Sequence, residues 1–331
     1  MKTVLLCAAL GAVALALFPP AAWQGMAQAE PPRVLVIEQT RPREDAAEEE
    51  AQAAGRTVTL LTESGTVELA MDDYLTAVVL CEMPPAFEPE ALRAQAVAAR
   101  TFACRQMHHG KHENGAVCAD SACCQAWQDE DALRERFGAD FDANWEKAAE
   151  AVTATQDEVL TYDGKLIDAT FFSCSGGRTE AAVAVWGSDV PYLQSVESYG
   201  EQAARRYASE AEFSAVEFRD KILAAAPDAD LTGEPDGWLG AVSYTEGGGV
   251  DVITIGGAEL TGVQMRAAFA LNSTQFTLEF ADGAFHFSVL GYGHRVGMSQ
   301  YGANYMAQQG YGYRIILPYY YRGAQITPLG D

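Results

Sequence analysis

The stretch YLTAVVLCEMPP, residues 74–85, constrains the fold more than any other part of the sequence. Its apolar residues recur at the spacing of a helix that buries one side. Pro84 and Pro85 have to end that helix, because proline lacks the amide hydrogen that a helix interior requires. The stretch therefore predicts a buried helix whose last turn holds a single carboxyl group, that of Glu82.

Glu82 poses a problem of charge, since ionisation of a carboxyl group beside an apolar run is unfavourable. Two arrangements fit the pattern. In one, Glu82 is a structural ion-pair partner of Arg93 or Arg100 on the next predicted helix. In the other, desolvation and the negative end of the helix dipole raise the pKa of Glu82, which is the property that a general acid needs near neutral pH.

The rest of the chain predicts helices and antiparallel strands without an internal repeat. Alternating apolar and polar residues predict a β-hairpin over residues 57–71, and strands dominate from residue 158 onward, the first of them around an Asp-Gly turn. We therefore predict an α+β fold. The segments with helical character are residues 88–109, about 140 to 155, 298–310 and, in part, 199–235.

The N-terminus has the pattern of an export signal, with Lys2, an apolar run over residues 4–18 and the small-residue sequence AQA at residues 27–29. Cleavage after Ala29 and retention as a membrane anchor both fit. In either case the remainder is expected outside the cytoplasm. We predict three segments: a signal peptide or anchor over residues 1–29, an acidic tether over residues 30–56, and one domain over residues 57–331.

The formal net charge of −24 excludes one class of partner. Proteins that bind nucleic acids need clustered Lys and Arg side chains to neutralise phosphates. Here 46 acidic residues outnumber 22 basic ones. We therefore expect no nucleic acid partner, and an anionic polymer would have to be bound locally.

Three segments carry the motifs of a known family in the same order. They are CEMPP followed by ALRAQAVAARTFA, then FFSCSGGRTEAAVAVWGSDVPYL, and finally GYGHRVGMSQYGANYMAQQGYGYRIILPYYY. With these motifs the chain resembles the sporulation stage II protein D (SpoIID/LytB) family over residues 57–327. Several long motifs in order are a more specific signal than one short motif.

The resemblance implies a peptidoglycan lytic transglycosylase in the cell envelope of a spore-forming bacterium, active while the mother cell engulfs the forespore. Its substrate would be glycan strands without stem peptides, held in a cleft of the α+β domain. Its partners would be a sporulation cell-wall amidase and membrane scaffold proteins.

The resemblance favours Glu82 as the general acid and base. A glycosidase that uses water normally needs two carboxyl groups. A lytic transglycosylase instead closes the 6-hydroxyl of N-acetylmuramic acid onto its own anomeric carbon. One carboxyl group can then act first as acid and afterwards as base.

The resemblance also implies a set of substrate-binding residues: Arg100, Ser173, Ser175, His294, Ser299, Gln300 and Tyr301. The Gly pair after Ser175 allows close approach of the backbone to a ligand. A turn or core role for these motifs is the alternative that the sequence leaves open. Arg295 departs from the family, in which Gly commonly follows the His; it either alters the shape of the cleft or points to solvent.

A short loop contains His112, Cys118 and Cys124, and nitrogen and sulfur ligands of this kind suit zinc. The same three residues fall on a zinc loop that some members of the family carry. Cys123 stands where a His often precedes the last Cys, and it either supplies or competes for the fourth position. We expect zinc with a structural role, because the transglycosylase route needs no activated water.

Disulfide bonding is the alternative use of the cysteines, since it is common in exported proteins. The further candidates for it are Cys81, Cys104, Cys123 and Cys174.

Two other functions remain compatible with the sequence. The first is a zinc-dependent amidase or peptidase of the cell wall, in which Glu82 is structural; it predicts activity that chelators abolish. The second is a non-catalytic wall-binding module that activates an amidase; it predicts that loss of the Glu82 carboxyl group leaves function intact.

Overall fold

Helices and mostly antiparallel strands alternate along residues 57–62 and 65–329, the part of the chain that the computed structural model describes. This mixture confirms the predicted α+β class. The predicted signal or anchor, residues 1–29, and the predicted tether, residues 30–56, lie outside the described residues. None of the described helices combines the length and the apolar character that crossing a membrane requires.

The described strands form five small sheets. They are β1 (Thr57–Thr62), β2 (Gly65–Ala70), β3 (Val117–Cys118), β4 (Glu158–Tyr162), β5 (Lys165–Leu166), β6 (Phe171–Phe172), β7 (Ala208–Ser214), β8 (Leu239–Tyr244), β9 (Val250–Ile255), β10 (Ala258–Thr261), β11 (Gln275–Ala281), β12 (Ala284–Leu290), β13 (Met298–Ser299) and β14 (Gln325–Pro328). β1 pairs antiparallel with β2, which is the predicted hairpin, and parallel with β3. β4 lies between β5 and β14, and β6 pairs in parallel with β13.

The described helices are α1 (Met71–Glu82), α2 (Pro89–His109), α3 (Glu130–Phe137), α4 (Phe141–Thr153), α5 (Ala182–Trp186), α6 (Ala215–Ala225), α7 (Gly262–Phe269), α8 (Gln300–Gln308) and α9 (Tyr313–Tyr320). Helices α1, α2, α4 and α8 lie where the sequence predicts them. Helices α3, α5, α7 and α9 were not predicted. Helix α5 has five residues and the other three have eight each, and an amphipathic repeat is hard to detect over so short a length.

Helix α1 is the centre of the first hydrophobic core. Every residue from Tyr74 to Leu80 is buried, so the helix is enclosed on all sides and not on one side as predicted. The reason is that α2, α4 and the β1–β2 hairpin all pack around it. The small side chains of α2, such as Ala94 and Ala98, are fully buried and allow this close approach.

Residues 208–290 contain a second core. The sheets β11-β12-β7 and β10-β9-β8 pack with α6 and α7 around aromatic side chains. Phe218 and Phe285 stack with their ring centroids 3.7 Å apart, and Trp238 and Phe287 complete the group. Aromatic residues bury much apolar surface per residue, which suits a core built from short strands.

Arg295 lies between the two cores and does not point to solvent, since none of its side chain is exposed. Its guanidinium donates to the carbonyl oxygens of Ser175 and Gly247, both at 2.6 Å, and pairs with Glu180 Oε1 at 3.0 Å. Gly247 belongs to the turn between β8 and β9. The hydrogen bonds of Arg295 therefore link the second core to the motif segment that contains Ser175.

Candidate functional site

Glu82 is the last residue of α1 because the chain must turn before Pro84. Met83 adopts an extended conformation, with φ −117° and ψ 142°, as expected for a residue that precedes proline. The amide of Met83 still donates to Val79 O at 2.9 Å. The side chain of Glu82 thus leaves the helix at its C-terminal end, partly buried.

Two neutral donors hold the carboxyl group of Glu82. The backbone amide of Ala126 donates to Oε1 at 2.8 Å, and Gln300 Nε2 donates to Oε2 at 3.3 Å. Burial raises the pKa of Glu82, and these two hydrogen bonds oppose the rise in part, because they favour the ionised form.

The described residues show no ion pair to Glu82. Arg93 pairs with Glu90 at 2.5 Å instead. Arg100 is buried and donates to three backbone carbonyl groups, the shortest bond being 2.6 Å to Thr155 O. Neither arginine therefore forms the structural ion pair that the sequence allowed, and Arg100 presents no free guanidinium group to a ligand.

The N-terminus of α8 lies over the loop that follows Glu82. Gln300 contacts Glu82 directly, and the ring of Tyr301 meets that of Phe87 edge to face, with centroids 4.9 Å apart. Asn304 Oδ1 accepts from the amide of Glu88 at 2.8 Å. This packing places Gln300 and the partly exposed Tyr301 beside the candidate acid.

Ser173 and His294 are both partly buried. The carbonyl oxygen of Ser173 accepts from the amide of Tyr301 at 3.1 Å. The ring of His294 lies 5.6 Å from that of Phe172 and 5.5 Å from that of Trp186, which is 45% exposed. Burial and the nearby Arg266 lower the pKa of His294 to about 4, so its imidazole is neutral at neutral pH.

Ser175 and Ser299 are fully buried, and both hydroxyl groups donate to the carboxyl group of Glu201. In this structure they bind a carboxyl group of the protein itself, and they are not exposed to a ligand. The sequence does not mark Glu201 as a functional residue, because it lies outside the three motif segments, with other acidic residues nearby.

The structure brings four candidate metal ligands together on the cysteine-rich loop: His112, Cys118, Cys123 and Cys124. Their ligand atoms all lie within 4.8 Å of one another. β3 places Cys118 beside β1, and a turn after Asp120, whose carbonyl oxygen accepts from the amides of Cys123 and Cys124, places the other two sulfur atoms.

The spacing of these donors fits a tetrahedral zinc ion. Zn–N and Zn–S bonds of ordinary length at tetrahedral angles place N and S about 3.6 Å apart. His112 Nε2 lies 3.3 Å from Cys123 Sγ and 3.6 Å from Cys124 Sγ. Among the described residues, Cys81, Cys118, Cys123, Cys124 and Cys174 are free thiols, so these five form none of the disulfide bonds that the sequence left open.

The cysteine-rich loop continues directly into the contact with Glu82. Gln125 is buried and donates to Tyr74 OH at 3.2 Å and to Ala99 O at 3.3 Å. The next residue, Ala126, supplies the amide that binds Glu82. Sequence reasoning missed this donor, because a backbone amide has no residue-type signal.

A family model described as stage II sporulation protein matches residues 62–162. Stage II sporulation protein D of Bacillus amyloliquefaciens is 37% identical over 270 residues, which cover 80% of this chain and 77% of the relative. The protein of the same name from Bacillus subtilis (strain 168) is 36% identical over 262 residues, 78% of this chain and 75% of the relative. A protein named amidase enhancer, also from Bacillus subtilis, is 26% identical over 311 residues, 76% of this chain and 40% of the relative.

Proposed function

The chain belongs to the stage II sporulation protein D family, and we propose that it acts in sporulation as a peptidoglycan lytic transglycosylase with Glu82 as its general acid and base. The observation that supports this proposal most strongly is the environment of Glu82. Its carboxyl group is desolvated, has a raised pKa, and is held by two neutral donors with no cation of the described residues in ion-pair contact.

The first step would use Glu82 as an acid. The carboxyl group donates its proton to the glycosidic oxygen while the bond from that oxygen to the anomeric carbon of N-acetylmuramic acid breaks. A raised pKa keeps a larger fraction of the carboxyl group protonated near neutral pH. Departure of the sugar leaves Glu82 ionised, and in that state Ala126 and Gln300 stabilise it.

The second step would use the same group as a base. The carboxylate accepts the proton of the 6-hydroxyl group while its oxygen bonds to the anomeric carbon, which yields a 1,6-anhydro end. No water is consumed, and Glu82 is protonated again. A single carboxyl group is therefore sufficient for the reaction.

In this proposal, a zinc ion on the cysteine-rich loop has a structural role. We propose that His112, Cys118, Cys123 and Cys124 hold one zinc ion, with Cys123 as the fourth ligand. Four protein ligands leave no open position, which is the pattern of structural zinc. The ion would fix a loop that is poor in apolar residues, and so it would fix the position of the Ala126 amide.

The proposed substrate is glycan from which the stem peptides have been removed. Stem peptides carry carboxylates, and a protein with a formal net charge of −24 repels them. Salt screens this repulsion within about 8 to 10 Å, so steric fit must contribute too. The protein would lie outside the cytoplasm, anchored or secreted, and act after a sporulation amidase together with membrane scaffold proteins.

A second candidate function is activation of an amidase without catalysis. The similarity to the protein named amidase enhancer favours it.

Product analysis in H₂¹⁸O separates these functions. A transglycosylase releases fragments with anhydro ends and no ¹⁸O. A hydrolase of the glycan incorporates ¹⁸O at the new reducing end, an amidase or peptidase releases peptides, and an activator alone releases neither kind of fragment.

A further inference from the structure

The carboxyl group of Glu201 is buried and accepts hydrogen bonds from a tight turn of the SCSGG motif. Glu201 is 1% exposed. Its Oε2 accepts from the amides of Ser175, Gly176 and Gly177 at 2.9, 2.9 and 3.1 Å, and from the hydroxyl of Ser175 at 2.7 Å. Successive amides that converge in this way form an anion-binding nest, and here the anion belongs to the protein.

The other carboxyl oxygen binds the start of α8. Oε1 accepts from the hydroxyl of Ser198 at 2.7 Å and from that of Ser299. Ser299 is the N-cap of α8, since its Oγ also accepts from the amide of Gly302 at 3.1 Å. Glu201 therefore holds the residue that begins the helix.

Two glycines show how closely this region packs. A Cβ atom at Gly302 would lie 2.1 Å from Ser198 Oγ, and a Cβ atom at Gly200 would lie 2.0 Å from the ring of Tyr305 on α8. The turn that contains Glu201 thus contacts the first and the second turn of the helix. A shift of Glu201 would shift α8 with it.

The residue after Ser299 is Gln300, whose side chain donates to Glu82. A continuous chain of contacts therefore runs from Glu201 through Ser299 and the backbone to Gln300 and Glu82. The contacts of Gln300 depend on where α8 begins, and that position depends on Glu201.

We propose that Glu201 is a positioning residue, which fixes the start of α8 so that Gln300 donates to Glu82. The structural part of this inference stands without any assumption about catalysis. Its kinetic consequence rests on the proposed function, because only a catalytic Glu82 makes the position of Gln300 matter for the rate.

The test is the titration of Glu82 in the free, full-length protein, followed by NMR of ¹³C-labelled glutamate carboxyl groups. The resonance of Glu82 is assigned by its loss in Glu82→Gln. The variants are Glu201→Gln, Ser299→Ala and Gln300→Met, and each of the first two is also combined with Gln300→Met. Glu158→Gln is the matched control, since Glu158 is also a buried carboxyl group but binds Tyr313 and Arg314.

We expect Glu201→Gln and Ser299→Ala to raise the pKa of Glu82 in the same direction as Gln300→Met, and to add nothing in the Gln300→Met background. A positioning effect of this kind lowers kcat roughly 10- to 100-fold on denuded glycan. Glu158→Gln should leave the pKa of Glu82 unchanged. Should Glu201→Gln not fold, Ser299→Ala still gives the answer, because it loses only a cap and one contact.

An unchanged pKa of Glu82 in folded Glu201→Gln or Ser299→Ala would overturn the inference and leave Glu201 a purely structural residue. A change in the pKa of Glu82 that adds fully to the change caused by Gln300→Met would overturn it as well. A shifted titration with no change in glycan cleavage would instead contradict the proposed function and leave the inference standing.

Discussion

The backbone amide of Ala126 donates a 2.8 Å hydrogen bond to Oε1 of Glu82. This bond joins the loop that contains the candidate zinc ligands to the candidate acid, since Ala126 follows Cys124 by two residues. A second bond, from Gln300, joins the same carboxyl group to α8. The carboxyl group of Glu82 therefore depends on contacts from two separate segments of the chain.

Loss of the Gln300 side-chain donor should change the pH dependence of catalysis. The bond from Gln300 favours ionised Glu82, so Gln300→Met should raise the pKa of Glu82 further. Because the acid must be protonated, the alkaline limb of kcat/KM should move to higher pH. Gln308→Met makes the same change at an exposed position of the same helix and should leave the profile unmoved. An alkaline limb that stays in place in Gln300→Met would contradict the assignment.

The desolvation of Glu82 should lower the stability of the folded protein at pH values where its carboxyl group is ionised. A raised pKa means that the folded protein binds this proton more tightly than the unfolded chain. The stability that the bound proton contributes is therefore fully present below about pH 4.5 and is lost as the pH rises through the folded-state pKa. Gln does not ionise. The Tm of Glu82→Gln, relative to wild type, should therefore increase between pH 4 and pH 8. Calorimetry checks this, with the exposed Glu135→Gln as control; a difference in Tm that does not depend on pH would count against a desolvated carboxyl group.

The cysteine-rich loop with His112, Cys118, Cys123 and Cys124 should hold one zinc ion per chain. Elemental analysis of the purified protein measures the metal, and Cys124→Ser or Cys123→Ser should lower both zinc content and Tm, because ligand loss removes binding energy that supports the folded loop. Cys174→Ala, a buried thiol outside the loop, should keep the zinc. Full zinc retention in Cys123→Ser would show that Cys123 is not a ligand.

The buried pair between Arg295 and Glu180 should matter for stability. Arg295→Met leaves the Glu180 carboxyl group buried without its cation and should lower the free energy of unfolding by about 3–5 kcal/mol. The double variant Arg295→Met/Glu180→Met should recover much of this loss. Urea denaturation measures both, and Arg134→Met, which breaks an exposed pair with Glu130, should cost about 1 kcal/mol or less. A similarly small loss of unfolding free energy in Arg295→Met would show that Arg295 does not stabilise the contact between the two cores.

Local signals in the sequence predicted the elements that lie closest to the site. Pro84 and Pro85 fix the end of α1, and the alternation on either side of Gly65 fixes the hairpin, because each signal acts within a few residues. The residue types of His112 and of the cysteines that follow it also mark them as candidate metal ligands. These features needed no knowledge of the tertiary structure.

The parts that the sequence did not predict depend on contacts between distant segments. β7 pairs along its whole length with β12, and no local pattern reveals that this pairing closes a second core. By residue type, Ser175 and Ser299 are candidates for binding a ligand. In the structure both hydroxyl groups donate hydrogen bonds to Glu201, which lies between them in the chain. Residue type alone does not distinguish a hydroxyl group that binds sugar from one that binds a buried carboxylate.

Cleavage by Glu82 can be tested by comparing wild type with Glu82→Gln on amidase-treated sacculi, with intact sacculi alongside, and by measuring anhydro-ended fragments with mass spectrometry. Wild type should release these fragments from treated sacculi and far fewer from intact ones. Glu82→Gln, folded and with its zinc content unchanged, should release none, because Gln has no proton to give to the leaving oxygen. Release of anhydro-ended fragments by Glu82→Gln at the wild-type rate would show that Glu82 is not the acid.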